Sequence, residues 1–349
     1  MFKDINIHDV AREARVSAST VSNVLNGRLD RMRPETSERV LRAIEQLGYT
    51  TNQLARQFRT GRVLTIGLIV PSVANPFWGY VARSVEEAAS AQGYQVLLCN
   101  AERDPNCERR YAETLLASGV RGVIFGSSPL SFDHLAALAQ RGLQILAFDR
   151  RIQHADEVVV DSVGIDNVLG AKLATTHLIG LGHRRIGLLS GPIRTVSRQD
   201  RLKGYQKALQ EADIEIDQQL IWEGKPISGF GDAESAELGR LGAHELLSLP
   251  NRPTALFAIN DMYALGAYAG AQELGFRIPE DLSIVGFDDL SPFAAIATPP
   301  LTTVRQPIQQ MMRIAVEYLI GRLEKTRSSP PEQLIAAPEL IVRKSTQKV

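Results

Sequence analysis

Two cysteines in 349 residues, 6% aromatics and a formal charge of +0 remove several classes of protein at the outset. Cys99 and Cys107 lack metal-like spacing and give no disulfide framework, so no metal or cofactor is expected and a reducing, cytoplasmic setting is. A balanced charge argues against a general polyanion binder. No apolar run approaches membrane-spanning length, and the opening Met-Phe-Lys-Asp has no signal-peptide core, so no membrane partner is expected. Missing too are a Gly-x-Gly-x-x-Gly after the first strand, a P-loop and a Gly-x-Ser-x-Gly elbow. The histidines (His8, His134, His154, His177, His183, His244) pair into neither a metal site nor a triad. Catalysis is therefore not expected, and His183, just after a helix-ending Gly182, reads as a structural cap.

What is present begins at the N-terminus. Residues 1–62 carry 11 Lys/Arg against 7 Asp/Glu, which leaves a mildly acidic remainder. Within that basic head, Val10, Ala11 and Ala14 form one small apolar face, and Val21, Val24 and Leu25 form another at helical spacing. Val16-Ser17 is the turn between them, with Ser17 as N-cap of a helix starting at Ala18. Ala11, Ala14 and Ala18 let the two helices cross closely. That is a helix-turn-helix, whose second helix enters the major groove of double-stranded DNA. A third helix is expected from Pro34, ending at Gly48.

From Leu64 the texture changes. Leu64–Val70, Gln95–Cys99, Gly122–Phe125 and Gln144–Phe148 are short strand-type runs separated by helical segments, the pattern of a parallel, doubly wound sheet. A second series follows at Arg185–Ser190, Gln219–Trp222, Ala255–Ile259 and Ser283–Phe287. Pro299–Gln306 reads as a crossing strand, Ile308–Leu323 as an amphipathic helix and Leu334–Val342 as a final strand. No Leu-heptad tail follows, so a helical tetramerisation appendage is not expected. The expected organisation is a head over 1–50, a linker over 51–62 and a two-lobed α/β core over 63–349. Its first lobe takes about 63–163 and 307–328, its second about 164–306 and 329–349.

These residues carry a resemblance to the LacI/GalR family of bacterial transcription regulators over essentially the whole chain. The head fits D-V-A-x-x-A-x-V-S-x-x-T-V-S-x-V-L-N. The body adds Pro76-Phe77, Asp149-Arg150, Asp166-Asn167, Gly182-His183-Arg184, Ser190-Gly191-Pro192, Arg201…Gly204-Tyr205, Asn260-Asp261, Val285–Asp289 and Leu301–Gln306, all in order. The resemblance implies a homodimer with a DNA-reading head, a hinge helix and a core like periplasmic sugar-binding proteins. It implies base contact by Ala18, Ser19 and Asn23, and phosphate contact by Thr20, Ser22 and Asn26 beside Ser17. The hinge would comprise Asn52, Ala55, Arg56, Phe58 and Arg59. There Phe58, where the family usually has Leu, wedges into the minor groove. A departure lies at Arg33-Pro34, where the family often has a capping Ser.

In the core, ligands of doubly wound sheets sit at the carboxyl ends of strands. Ser72, Asn75, Asp149, Arg150, Asn260, Asp288 and Gln306 fall just past such ends, with Arg201 near a helix start and Phe77, Trp78 and Phe230 in neighbouring loops. Carboxylates, amides and guanidinium groups beside aromatic faces suit a sugar. The set resembles that of ribose-binding proteins, with Trp78 in place of a Phe, and implies a pentose effector, ribose first. Asp149 and Asp288 together argue against a strongly anionic phosphosugar. The resemblance further implies a repressor of sugar-utilisation genes, released from a palindromic operator by its effector. A purine- or nucleoside-responsive repressor is the alternative within the family, and a sugar-binding transport protein the alternative outside it.

Overall fold

A computed structural model of the chain describes residues 5–25, 32–48, 64–153, 158–225 and 234–349. The chain divides into two compact units, Met1–Val63 and Leu64–Val349. No helix among the described residues is long and apolar enough to cross a membrane.

In the small unit, α1 (Ile7–Glu13), α2 (Ala18–Leu25) and α3 (Pro34–Leu47) surround a minimal core. Val10, Val21 and Val40 are wholly buried, with Ala11, Ala14, Val24 and Ala43 packed around them. Helix α1 starts in a reciprocal cap: Asn6 Oδ1 accepts from the backbone of His8 at 2.9 Å, and Asp9 Oδ2 accepts from the Asn6 amide at 3.1 Å. Its turn closes through Arg15 at φ +53°, and Ser17 Oγ accepts from the Thr20 amide at 3.2 Å to open α2. Helix α3 opens at Pro34 with no side-chain cap from Arg33 and ends at Gly48, φ +59°. The missing cap is the departure noted in the sequence.

The large unit holds two sheets of alternating β and α. The strands are β1 (Thr65–Val70), β2 (Gln95–Asn100), β3 (Gly122–Phe125), β4 (Gln144–Phe148), β5 (Asp161–Ile165) and β6 (Ile186–Ser190), then β7 (Ile221–Glu223), β8 (Ala255–Ala258), β9 (Ser283–Asp288), β10 (Thr302–Arg305), β11 (Gln333–Ala336) and β12 (Glu339–Ile341). The helices are α4 (Pro76–Ser90), α5 (Pro105–Ala117), α6 (Ala136–Gln140), α7 (Asn167–Gly180), α8 (Val196–Glu211), α9 (Ser235–Leu247), α10 (Asp261–Glu273), α11 (Phe293–Ile296) and α12 (Ile308–Leu323). Among the described residues the strand orders are β11-β5-β4-β3-β1-β2 and β12-β10-β9-β8-β6-β7. Every pairing is parallel except β10 with β12. Inner strands such as β3, β4 and β8 are buried along almost their whole length, as strands covered by helices on both faces must be. Helix α12 lays Met311, Met312, Ala315, Val316 and Leu319 onto the first sheet.

Two features differ from the sequence reading. The single terminal strand expected in the second lobe is two strands. Gln333–Ala336 pairs with β5 in the first sheet, and Glu339–Ile341 pairs with β10 in the second. Pro338 lies between them and has no N–H to continue a ladder. Strand β5 itself carries only two large apolar residues, Val163 and Ile165, and gives little periodic signal. It is held instead by Arg322, whose Nε and Nη2 donate to Asp161 at 2.7 and 3.0 Å.

The chain thus passes between the lobes three times, after β5, after β10 and after β11. The C-terminal tail is stitched onto the second lobe. Ser345 Oγ accepts from the Thr302 amide at 2.8 Å, and the buried His183 ring meets Thr254 at 2.8 Å, Ser283 at 3.0 Å and the Gln347 carbonyl at 3.2 Å. His183 is a brace between strands and tail, while the cap of α7 is made by the backbone amides of Gly182 and His183.

Candidate functional site

In the small unit, the face expected to read DNA is the start of α2. Ser17 and Ser19 are exposed, and Thr20, Ser22 and Asn23 half-exposed. Ser17 Oγ also lies 2.7 Å from Ser19 Oγ and 2.9 Å from Thr20 Oγ1, a hydroxyl cluster at the mouth of the helix. Ala18 is partly buried against the core of the unit, so its methyl serves packing as well as any outward contact. Asn26 and the hinge positions Asn52, Ala55, Arg56, Phe58 and Arg59 lie outside the described residues, as does Phe230.

In the large unit, a cavity of about 30 Å³ is lined by Asn75, Phe77, Trp78, Arg103, Asp149, Ser197, Arg198, Arg201, Ile259, Asn260 and Asp288. The strand ends supply it. Asp149 follows β4, Asn260 follows β8 and Asp288 ends β9. Asn75 Oδ1 caps α4 by accepting from the Phe77 amide at 3.0 Å, and Asn260 Oδ1 caps α10 by accepting from the Tyr263 amide at 3.0 Å. Each cap uses the carbonyl oxygen, so each amide offers the cavity an NH2 donor.

Arg201 of α8 is the hub. Its Nη groups lie 3.8 Å from Asp149 and 3.8 Å from Asp288. Its Nε donates to Asn167 Oδ1 at 2.8 Å, and Nη1 donates to the Ile259 carbonyl at 2.6 Å. Asn167 in turn donates to Asp149 Oδ1 at 2.8 Å, and the guanidinium lies 3.7 Å over the Phe287 ring. Burial pushes the carboxyls of Asp149 and Asp288 above the usual carboxylate range, with Arg201 opposing the shift at both. The backbone is unusual at the same places: φ is +54° at Asp149 and +118° at Asp288, the latter outside the left-handed well that Asp tolerates. Trp78 is seated edge-on to Phe77, with ring centroids 5.1 Å apart, in space left by Gly126, where a Cβ would lie 2.4 Å from the indole.

Three sequence candidates do not line the cavity. Arg150 turns away: Nε donates to the Pro129 carbonyl at 2.6 Å, Nη2 to the Leu130 carbonyl at 2.9 Å, and its guanidinium lies 4.7 Å over Phe132. Gln306 stands behind Asp288, donating to Oδ1 at 2.8 Å, and so positions that carboxyl. Ser72 is buried, its carbonyl closing the turn into α4 by accepting from Asn75 at 3.2 Å. Conversely, Arg103, Ser197, Arg198 and Ile259 line the cavity without having been expected there. Ser197 and Arg198 belong to the same helical turn as Arg201, which is the signal that could have found them.

A two-lobed core with polar groups gathered at strand ends, on a chain that also carries a helix-turn-helix, narrows the possibilities. Residues 6–52 match the family described as "Bacterial regulatory proteins, lacI family". Residues 175–346 match the "Periplasmic binding protein-like domain". The chain is 35% identical over 339 residues to the ribose operon repressor of Haemophilus influenzae (strain ATCC 51907 / DSM 11121 / KW20 / Rd), with 97% of each chain covered.

This chain belongs to the lacI family. It is similar also to the transcriptional repressor PurR of Haemophilus influenzae (strain PittEE), 34% identical over 98% of this chain and 99% of that one. Among solved structures it resembles the Lac repressor bound to ONPG in the repressed state, 29% identical with a TM-score of 0.85, over 99% of this chain and 100% of that one. This lacI-family chain is accordingly a DNA-binding transcriptional regulator and not an enzyme.

Proposed function

We propose that this regulator is a homodimeric repressor whose operator affinity is set by a small hydroxylated effector in the cleft between its lobes. The observation that carries the effector reading is the Arg201 hub. One guanidinium between two buried carboxyls, beside two amide donors and the Phe77–Trp78 pair, offers both acceptors and donors to a ring of hydroxyls and an apolar face to its C–H surface. A pentose, with ribose as the first probe, matches that inventory. The likeness to a ribose operon repressor supports it, while the nearly equal likeness to PurR keeps a purine as the rival.

The α2 face supports recognition of a palindromic operator, with Ser19 and Asn23 toward base edges and Ser17, Thr20 and Ser22 toward phosphates. Effector binding holds the lobes closed and favours the state that releases DNA; it acts only through its differential affinity for the two states. A cavity of about 30 Å³ is far below the several hundred Å³ of small-molecule pockets, so the lobes must part to admit a ligand.

The test is fluorescence anisotropy on an operator selected in vitro from random DNA. Ribose, other pentoses, hexoses, nucleosides and purine bases are added to the preformed complex. Release by a pentose that Asp288→Asn abolishes is the expected result. Release by purines alone favours the rival, and a tighter complex on effector addition overturns the induction sign.

A further inference from the structure

The chain has two tryptophans, and they differ in one respect. Trp222 Nε1 donates to Glu245 Oε2 at 2.8 Å. Trp78, in the wall of the cleft and only 4% exposed, has no acceptor for its indole N–H among the described residues. Its ring neighbours are Phe77 and Phe148, each roughly perpendicular to it, with centroids 5.1 and 6.0 Å away. The six-membered ring is committed to packing: a Cβ at Gly126 would lie 2.4 Å from Cζ3, 2.8 Å from Cη2 and 3.3 Å from Cε3. Those three carbons form the edge of an indole remote from Nε1. The first lobe therefore holds the carbon edge and leaves the nitrogen edge unused. A buried indole N–H ordinarily finds a partner, because an unpaired donor forfeits its hydrogen bond to water.

We infer that Trp78 sets the specificity of this cleft: its Nε1–H donates to an oxygen of the effector, and its indole, backed by Gly126, limits that effector to a single ring. The inference rests on the cleft reading above and deepens it. An indole N–H is a donor only, so the group it meets is an acceptor, such as the ring or a hydroxyl oxygen of a sugar. The Gly126 backbone behind the indole and the Phe77 and Phe148 rings beside it leave no path of retreat. Parting of the lobes adds room across the cleft, while the wall at Trp78 stays with its own lobe. A pentose or hexose fits against that wall as it stands, whereas a nucleoside needs it to move. A phenylalanine there lacks the donor and leaves the space beside Gly126 unfilled.

Full-length protein labelled with 15N-tryptophan gives one indole N–H signal from each tryptophan, and Trp222→Phe leaves that of Trp78. Titration with D-ribose, D-xylose and D-glucose is expected to move this signal downfield for the sugar that binds. Calorimetry gives the affinities of the same sugars and of adenosine and hypoxanthine. Trp78→Phe is expected to weaken the sugar by about threefold to tenfold and to cut its preference over adenosine by about tenfold. Gly126→Ala, which pushes a methyl against the indole, is expected to weaken the same sugar by about tenfold or more. Adding Trp78→Phe to Gly126→Ala should recover part of that loss, because the two residues share one space. Circular dichroism and melting temperature establish that each variant is folded. If sugar binding leaves the Trp78 signal in place, if Trp78→Phe changes neither affinity nor preference, or if only purines bind, the inference is wrong. The cleft reading survives that result wherever Asp288→Asn abolishes binding of the ligand found, and falls with it where Asp288→Asn has no effect.

Discussion

Replacing Arg201 with Met keeps most of the aliphatic stem and removes the one cation that two buried carboxyls share. Two charged-donor hydrogen bonds disappear, to Asn167 at 2.8 Å and to the Ile259 carbonyl at 2.6 Å, each on the order of 1.5–3 kcal/mol. The contact with Phe287 at 3.7 Å goes with them. Because desolvating a buried guanidinium offsets part of this gain in the parent, the net loss is expected at about 3–5 kcal/mol near neutral pH, the usual result of removing one partner of a buried ionic group. That corresponds to a fall in melting temperature of roughly 5–8 °C for a unit of this size.

The loss also depends on pH with a definite sign. Arg201 pulls the Asp149 and Asp288 carboxyls down against the upward push of burial; without it both rise further. A carboxyl raised in the folded state contributes stability that is present at low pH and disappears as pH climbs through the folded value. The variant therefore suffers least at about pH 5, where the carboxyls take up protons, and most at about pH 8. Urea unfolding followed by circular dichroism at the two pH values measures the difference, and adding Asp288→Asn to the variant should recover part of the loss at the higher pH. An equal loss at both, or a larger one in acid, refutes the account of Arg201 as counter-cation.

Asp261, wholly buried beneath the second sheet, is pushed up to about 7 by burial despite accepting from Thr303 Oγ1 at 2.5 Å and the Leu290 amide at 2.6 Å. Its contribution to stability is complete in acid and lost as pH rises through about 7. Urea titrations of Asp261→Asn should accordingly show a stability–pH slope shallower by up to about 1.4 kcal/mol per pH unit over that range. Gly266→Ala places a methyl 1.8 Å from the Ala236 carbonyl at the α9–α10 crossing and should cost more than about 3 kcal/mol; Gly79→Ala, with nothing within 4 Å, should leave the melting temperature unchanged or raise it slightly. Asn6→Ala removes the cap that accepts from His8 and Asp9 and should destabilise the small unit by about 1 kcal/mol, read from thermal unfolding of its helices.

Where the sequence was readable, a short-range rule sufficed. The turn at Ser17, the small-residue crossing of α1 and α2, and the alternation of strand and helix all depend on neighbours a few positions apart. Asp149, Asn260 and Asp288 could be placed together because polar residues at parallel strand ends share one side of a sheet, and Arg201 joined them as a residue near a helix start on that side. Arg150 shows where that reasoning stops. It also follows a strand end, yet the Pro129 and Leu130 carbonyls and the Phe132 ring draw it into the wall of the cleft. Those acceptors lie some twenty residues away, and no periodicity marks them. Arg103 reaches the same cavity from a loop at φ +55°, a backbone choice equally invisible in pattern. Strand β5 and the break at Pro338 escaped because partners distant in sequence, Arg322 and the β5 ladder, fix them.

The contacts that join the two lobes near the cleft explain why a ligand has leverage over them. Ser128, following β3, accepts at its carbonyl from the Val196 amide at 3.1 Å and at its hydroxyl from the Ser197 amide at 3.2 Å. Asn167 and Arg201 reach Asp149, and Arg151 pairs with Asp200. All are polar, and water can replace each one when the lobes part, so each is worth only about a kcal/mol net. The large apolar clusters lie mostly within one lobe, but Leu290 and Met262 of the second lobe join the cluster of the first and add an apolar contact between the lobes. Exchangeable polar contacts near the cleft and this apolar contact together hold the lobes in the present arrangement. In the proposed reading, a ligand that engages Arg201, Asp149 and Asp288 at once adds its differential affinity to the balance between open and closed forms. A few kcal/mol of this kind moves a two-state population from mostly one form to mostly the other. In the proposed reading, the cluster at Arg201 is both the recognition element and the element whose occupancy sets the conformation presented to the operator.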